Sequence, residues 1–215
     1  MRALPIFLTE RTRVLAGLFL FPLSGAIYLL TNRFQLSTPI TLPLTWVDRT
    51  CPLIPSTVWI YASELLYFPC AYLLCRNLRN INLFLYAFAT LQLVSNAIFF
   101  FWPTTFPRDA FQIPSDTGAW SRFAFETMRS TDTAANCCPS LHVSGVFMTG
   151  FLFLGEQRRK LPFFMTWATA IAFSTLTTKQ HYLVDVVTGF ALAVAIHLLV
   201  RRVLSSRDTS SSQTG

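Results

Sequence analysis

"HYLVDVVTGFALAVAIHLLVRRV", residues 181–203, places His181 and Asp185 at the head of a nearly apolar run that closes on Arg201 and Arg202. A helix that crosses a membrane needs roughly 20 mostly apolar residues, within about 17–25. The run over 183–203 meets that length. Five more stretches also meet it, at about 14–31, 57–75, 82–102, 139–156 and 161–178. The whole chain is 53% hydrophobic and 13% charged. A soluble domain carries about 25% charged residues, so lipid is the expected solvent. The expected fold is all-α, an integral-membrane helical bundle with about six transmembrane helices. Residues 1–204 are expected to form one six-span domain, and 205–215 a disordered polar tail rich in small residues. The run from Val14 to Leu30 exceeds a signal peptide's apolar core of about 7–15 residues. No A-x-A-like cleavage site follows, so it is expected to be a retained first span.

The net charge of +7 invites a nucleic-acid reading. The positions of the cations argue against one. With a cytoplasmic N-terminus, the inner segments hold eleven of them and the outer segments six. That follows the positive-inside rule. Both termini are then cytoplasmic, and the charge reflects topology and membrane lipids, with no nucleic acid as partner. Three polar clusters fall on the outer side, which is periplasmic, extracytoplasmic or lumenal. They are "FWPTTFPRDA", "NCCPSLHVSG" and "TTKQHYLVDV".

His181 and Asp185 are four residues apart, on one face of a helix. The carboxylate can accept from one imidazole nitrogen and leave the other free, as the acid of a catalytic triad does. An ionisable residue inside a membrane segment is costly and marks a functional candidate. In "PSLH", residues 139–142, Pro139 suits a first helical turn. Ser140 and His142 then lie at a helix N-terminus, where free N–H groups favour phosphate. "PTTFPR", residues 103–108, supplies Arg108, a fork of donors suited to phosphate oxygens. Lys179 adds a second outer cation beside His181. Each feature alone has an ordinary structural explanation, such as a helix cap or a snorkelling cation. Gathered on one membrane face, they are what phosphoryl transfer through a covalent intermediate needs.

The motifs resemble those of the type-2 phosphatidic acid phosphatase superfamily, which also includes vanadium haloperoxidases. That family carries Lys-x6-Arg-Pro, Pro-Ser-Gly-His and Ser-Arg-x5-His-x3-Asp. Here Pro139, Ser140 and His142 match the second motif, with Leu141 in place of Gly. Ser174, His181 and Asp185 match the third, with Thr175 in place of Arg. Only Arg108 matches the first; Phe101 and Asp109 stand at the Lys and Pro positions. The resemblance implies a lipid phosphatase in which His181 attacks phosphorus, Asp185 orients it and His142 protonates the leaving oxygen. Arg108 and Ser140 would hold phosphate oxygens, with no metal and no cofactor. Lys179 is our own candidate for a replaced cation. "PSLH" and "PTxxPR" look more like the branch containing inositol-phosphorylceramide synthases, so a lipid phosphotransferase is the alternative. A bis-histidine haem or metal binder and a transporter of lipid-linked phosphates also stay open.

Other polar residues are expected to be structural. Glu64 is read as a pairing residue some distance from the outer face. Gln92, Ser95 and Asn96 are expected to hydrogen-bond across helices. His197 falls at the inner end. Trp46, Trp59, Trp102 and Trp120 suit an interfacial belt. Cys51 is placed to bridge Cys137 or Cys138 if the outside is oxidising. Residues 117–130 are expected to form a short amphipathic surface helix.

Overall fold

The computed structural model describes residues 8–154 and 157–205. Each apolar stretch becomes helix. The first is α1, Thr12–Arg33. The segment that follows holds β1, Ile40–Thr41, and α2, Trp46–Thr50. A 3-10 turn leads into α3, Val58–Ala62, and α4, Glu64–Leu74. Next comes α5, Leu78–Phe101, started by the Asn77 side chain accepting from Asn80 N. A second connecting segment carries β2, Thr104–Thr105, paired in parallel with β1, and α6, Ala119–Thr131. The chain closes with α7, Leu141–Gly150, α8, Leu161–Thr177, and α9, Leu183–Ser205. Sheet is confined, among the described residues, to that one pair of two-residue strands. The fold is all-α.

α1, α5 and α9 are long and apolar enough to cross a membrane; α7 and α8 are shorter apolar helices. Large apolar side chains such as Leu15, Leu18, Phe19, Leu93, Phe163 and Phe173 face outward, while Asn82, Ser95, Ser144 and Thr149 are buried. This pattern suits a lipid solvent, where small and polar groups hold helices together.

Two stretches depart from the expected single helices. That expected over 57–75 breaks at Ser63. Ser63 Oγ bonds to Ile60 O, and Ser63 N also reaches Ile60 O at 3.2 Å, tightening the turn. Hydroxyl back-bonding of this kind bends helices. The fourth stretch is shorter than expected, α7 being followed by one 3-10 turn, Phe151–Phe153. Residues 155 and 156 of that stretch, and 206–215 of the expected tail, lie outside the described residues. Ser205 closes α9.

Every residue of α7 except His142 is buried. A helix apolar all round sits at the centre of its fold, and α7 packs on α9, α8, α5 and α4. α9 approaches closely because Gly189 has no side chain. A Cβ there would lie 2.5 Å from Ser140 O. This contact fixes the start of α7 against the start of α9.

Candidate active site

The start of α9 is held by two carboxylates. Asp48 Oδ1 accepts from Leu183 N at 2.7 Å. Asp185 Oδ2 accepts from Tyr182 N at 2.9 Å. The same Oδ2 lies 3.3 Å from His181 Nδ1. That nitrogen also faces the Cys137 carbonyl oxygen, at 3.1 Å. Both neighbours only accept, so Nδ1 carries the hydrogen and Nε2 keeps its lone pair. His181 and Asp185 are both buried, and Asp185 Oδ1 has no hydrogen-bond partner.

His181 Nε2 faces His142 Nδ1 at 3.4 Å. The other nitrogen of His142, Nε2, lies 2.6 Å from the Tyr61 hydroxyl and 3.2 Å from Glu64 Oε1. Acceptors therefore stand at both nitrogens of His142. A doubly protonated ring satisfies both, with Nδ1–H directed at the His181 lone pair. Each histidine thus has one nitrogen on a carboxylate, and the remaining two nitrogens face each other.

Arg108 is buried. Its guanidinium donates to Asp132 O at 2.6 Å and pairs with Asp132 Oδ2 at 3.2 Å. Asp132 Oδ1 accepts from the Tyr28 hydroxyl at 2.8 Å, and the Tyr28 ring lies 6.2 Å from the His142 ring. Arg108 is thereby linked to the histidines through Asp132 and Tyr28. Its Nε is buried without a partner. Ser140 caps α7, its Oγ accepting from Val143 N at 3.3 Å. The cap uses a lone pair and leaves the hydroxyl hydrogen to donate.

Lys179 has a different contact from the phosphate clamp expected of it. Its ammonium donates to Asp48 O at 2.7 Å and Cys51 O at 2.6 Å, and sits 4.6 Å from the Phe111 ring centre. Two of its three donors are committed to a loop, and its backbone takes a φ of 55°. Burial lowers the Lys179 ammonium from its usual range. Lys179 ties the Asp48–Cys51 loop to the turn that carries His181.

Glu64 is the main correction. It was expected away from the outer face, yet it touches His142. The break at Ser63 and the deep start of α7 bring the two together. Tyr28, Tyr61, Asp48 and Asp132 also join the site without having been singled out. Asn96 does bond across helices, its Oδ1 accepting from the Thr31 hydroxyl of α1 at 2.7 Å. His197 packs on Phe151 at 4.9 Å, with neither ring nitrogen hydrogen-bonded. The surface helix expected at 117–130 is α6, anchored by buried Phe125.

All five cysteines are free. Ligating atoms of Cys137, His181 and Asp185 lie within 4.8 Å of one another, a donor set of zinc-binding type. Burial, with Asp185 second, pushes the Cys137 thiol up, against metal binding as a thiolate.

The C-terminal end of α5 and the N-terminal ends of α7 and α9 therefore bring all three sequence clusters to one end of the bundle. Over residues 25–199 the sequence matches the family model described as the PAP2 superfamily. No curated protein matches the chain. With most of its length covered by that match and both of its motif histidines meeting at one end of the bundle, the chain belongs to the PAP2 superfamily.

Proposed function

We propose that this protein is an integral-membrane lipid phosphatase. It hydrolyses a lipid phosphate or pyrophosphate through a phosphohistidine at the outer face. The observation that carries this reading is the facing pair, His181 Nε2 and His142 Nδ1, each ring held from behind by a carboxylate. A phosphoryl group would replace the contact between the two nitrogens. His181 Nε2 attacks phosphorus, and the bond from phosphorus to the lipid oxygen breaks. That oxygen takes the proton from His142 Nδ1. His142, now neutral, takes a proton from water as the water oxygen attacks phosphorus. The N–P bond breaks and phosphate leaves. Asp185 holds the His181 tautomer throughout. Arg108, Ser140 and the free N–H groups of α7 supply donors for phosphate oxygens. The positive-inside count supports cytoplasmic termini.

A second reading is a lipid phosphotransferase, in which a lipid alcohol replaces water. It is favoured by an apolar cavity that reaches His142 from the membrane side. The test is phosphate release from lipid phosphates and pyrophosphates in detergent, with chelator present, beside His181→Ala. Acid-labile phosphate label on the wild type, absent from His181→Ala, is the expected result. Release that persists in His181→Ala overturns the covalent mechanism. A label that forms but passes only to added lipid alcohols selects the transferase.

A further inference from the structure

The cavity that reaches His142 has no occupant in the proposed hydrolysis. It measures about 500 Å³ and opens beside His142, Glu64 and Tyr28. Its walls are one face of α1, from Val14 to Tyr28, and one face of α4, from Glu64 to Leu73. Its floor includes Phe88, Gln92 and Gly145. Ionisable side chains gather at the histidine end; apolar ones dominate the rest. The cavity thus starts at the proposed acid and runs into the bilayer.

Resting on the phosphatase reading, we infer that this groove holds the single hydrocarbon chain of the leaving lipid alcohol. The position of His142 supports that occupant. The acid must touch the leaving oxygen, and the groove reaches the Glu64 side of the His142 ring, so a chain attached to that oxygen has the groove beside it. Two independent measures give the size. Fourteen helical steps from Val14 to Tyr28 rise about 21 Å at 1.5 Å each. An extended backbone advances about 3.6 Å over three bonds, or about 1.2 Å per bond, so the groove length matches roughly 17 bonds. A 150 Å³ cavity takes benzene, about 25 Å³ per carbon, so 500 Å³ takes roughly 20 carbons. Both fit one long chain. A second chain would have to lie outside, in the bilayer.

Gly25 gives the test. It lines the groove, and a Cβ placed on it meets no atom within 4 Å. Gly25→Trp would add an indole at the groove wall, and Leu199→Trp, outward-facing on α9 and outside the groove, serves as the folding control. The measurement is kcat/KM in detergent for hexadecyl phosphate and for butyl phosphate, expressed as their ratio. We expect Gly25→Trp to lower that ratio at least tenfold and Leu199→Trp to leave it within twofold. A ratio unchanged in Gly25→Trp overturns the groove. If the wild type turns over neither compound, the phosphatase reading fails instead. Retention of hexadecyl phosphate in native mass spectra then decides the groove: retention by wild type and not by Gly25→Trp supports it, and equal retention or none overturns it.

Discussion

Replacing Glu64 by Gln removes a charge and keeps the shape of the side chain. The lost contact is the one from Glu64 Oε1 to His142 Nε2, 3.2 Å long with both side chains 14% exposed. A hydrogen bond to a charged group contributes about 1.5–3 kcal/mol. At about 1.4 kcal/mol per tenfold, that is roughly a 10–150-fold loss in kcat. The loss should depend on the leaving group. An alkyl phosphate needs its leaving oxygen protonated; a para-nitrophenyl phosphate scarcely does. The assay is phosphate release from both, by wild type, Glu64→Gln, His142→Ala and the double variant. We expect the full loss on the alkyl phosphate and much less on the nitrophenyl ester. In the His142→Ala background, Glu64→Gln should add little, since its partner is gone. Equal loss on both esters, or full additivity with His142→Ala, would refute the pairing of Glu64 with a catalytic acid.

Other outcomes follow from single contacts. Asp185→Asn keeps the shape but lets His181 adopt the wrong tautomer, so turnover should fall about 10³–10⁴-fold with the protein still folded, as checked by its melting curve. Gly189→Ala places a Cβ 2.5 Å from Ser140 O, an overpacking that should cost about 1–3 kcal/mol and be read as a lowered Tm. Lys179→Met removes two donated hydrogen bonds, and a net loss of about 2 kcal/mol should lower Tm by roughly 4–8 °C. Because burial lowers the Lys179 pKa, the unfolded chain holds that proton to higher pH than the fold does. Wild type should therefore gain stability over Lys179→Met as pH rises from that lowered value to about 10.4, a trend measured by denaturation at stepped pH.

The helices were legible because lipid demands long apolar runs, and each run became helix. The pairing of His181 with Asp185 was legible because a four-residue spacing is enough to align them on α9. Glu64 was not. Its depth was judged as though residues 57–75 were one straight helix, and the Ser63 break shifts it to His142. The contacts of Lys179 were not legible for a different reason. It is near His181 in sequence, but a left-handed φ turns its side chain toward Asp48 and Cys51. Asp132 lies in a loop with no periodicity to flag it, and only the fold brings it to Arg108 and Tyr28.

The partners of the two histidines also bear on their roles, independently of any motif. Around His181 Nδ1 stand a carboxylate and a carbonyl, and both only accept. They pin one tautomer, which suits a nucleophile that must present the same lone pair in every cycle. Around His142 Nε2 stand Glu64 and the Tyr61 hydroxyl. A hydroxyl both donates and accepts. The proton that moves is the one on Nδ1, so Nε2 keeps its hydrogen in both states and Glu64 and Tyr61 face an unchanging donor. That constancy holds one tautomer in a group whose Nδ1 proton leaves with the lipid oxygen and returns from water. The division of labour between nucleophile and acid is therefore supported by the hydrogen-bonding character of the neighbours. Removing one acceptor should disturb it: Tyr61→Phe should depopulate the charged ring and slow formation of the phosphohistidine more than its hydrolysis. Single-turnover labelling separates those two steps, and equal slowing of both would remove Tyr61 from this role.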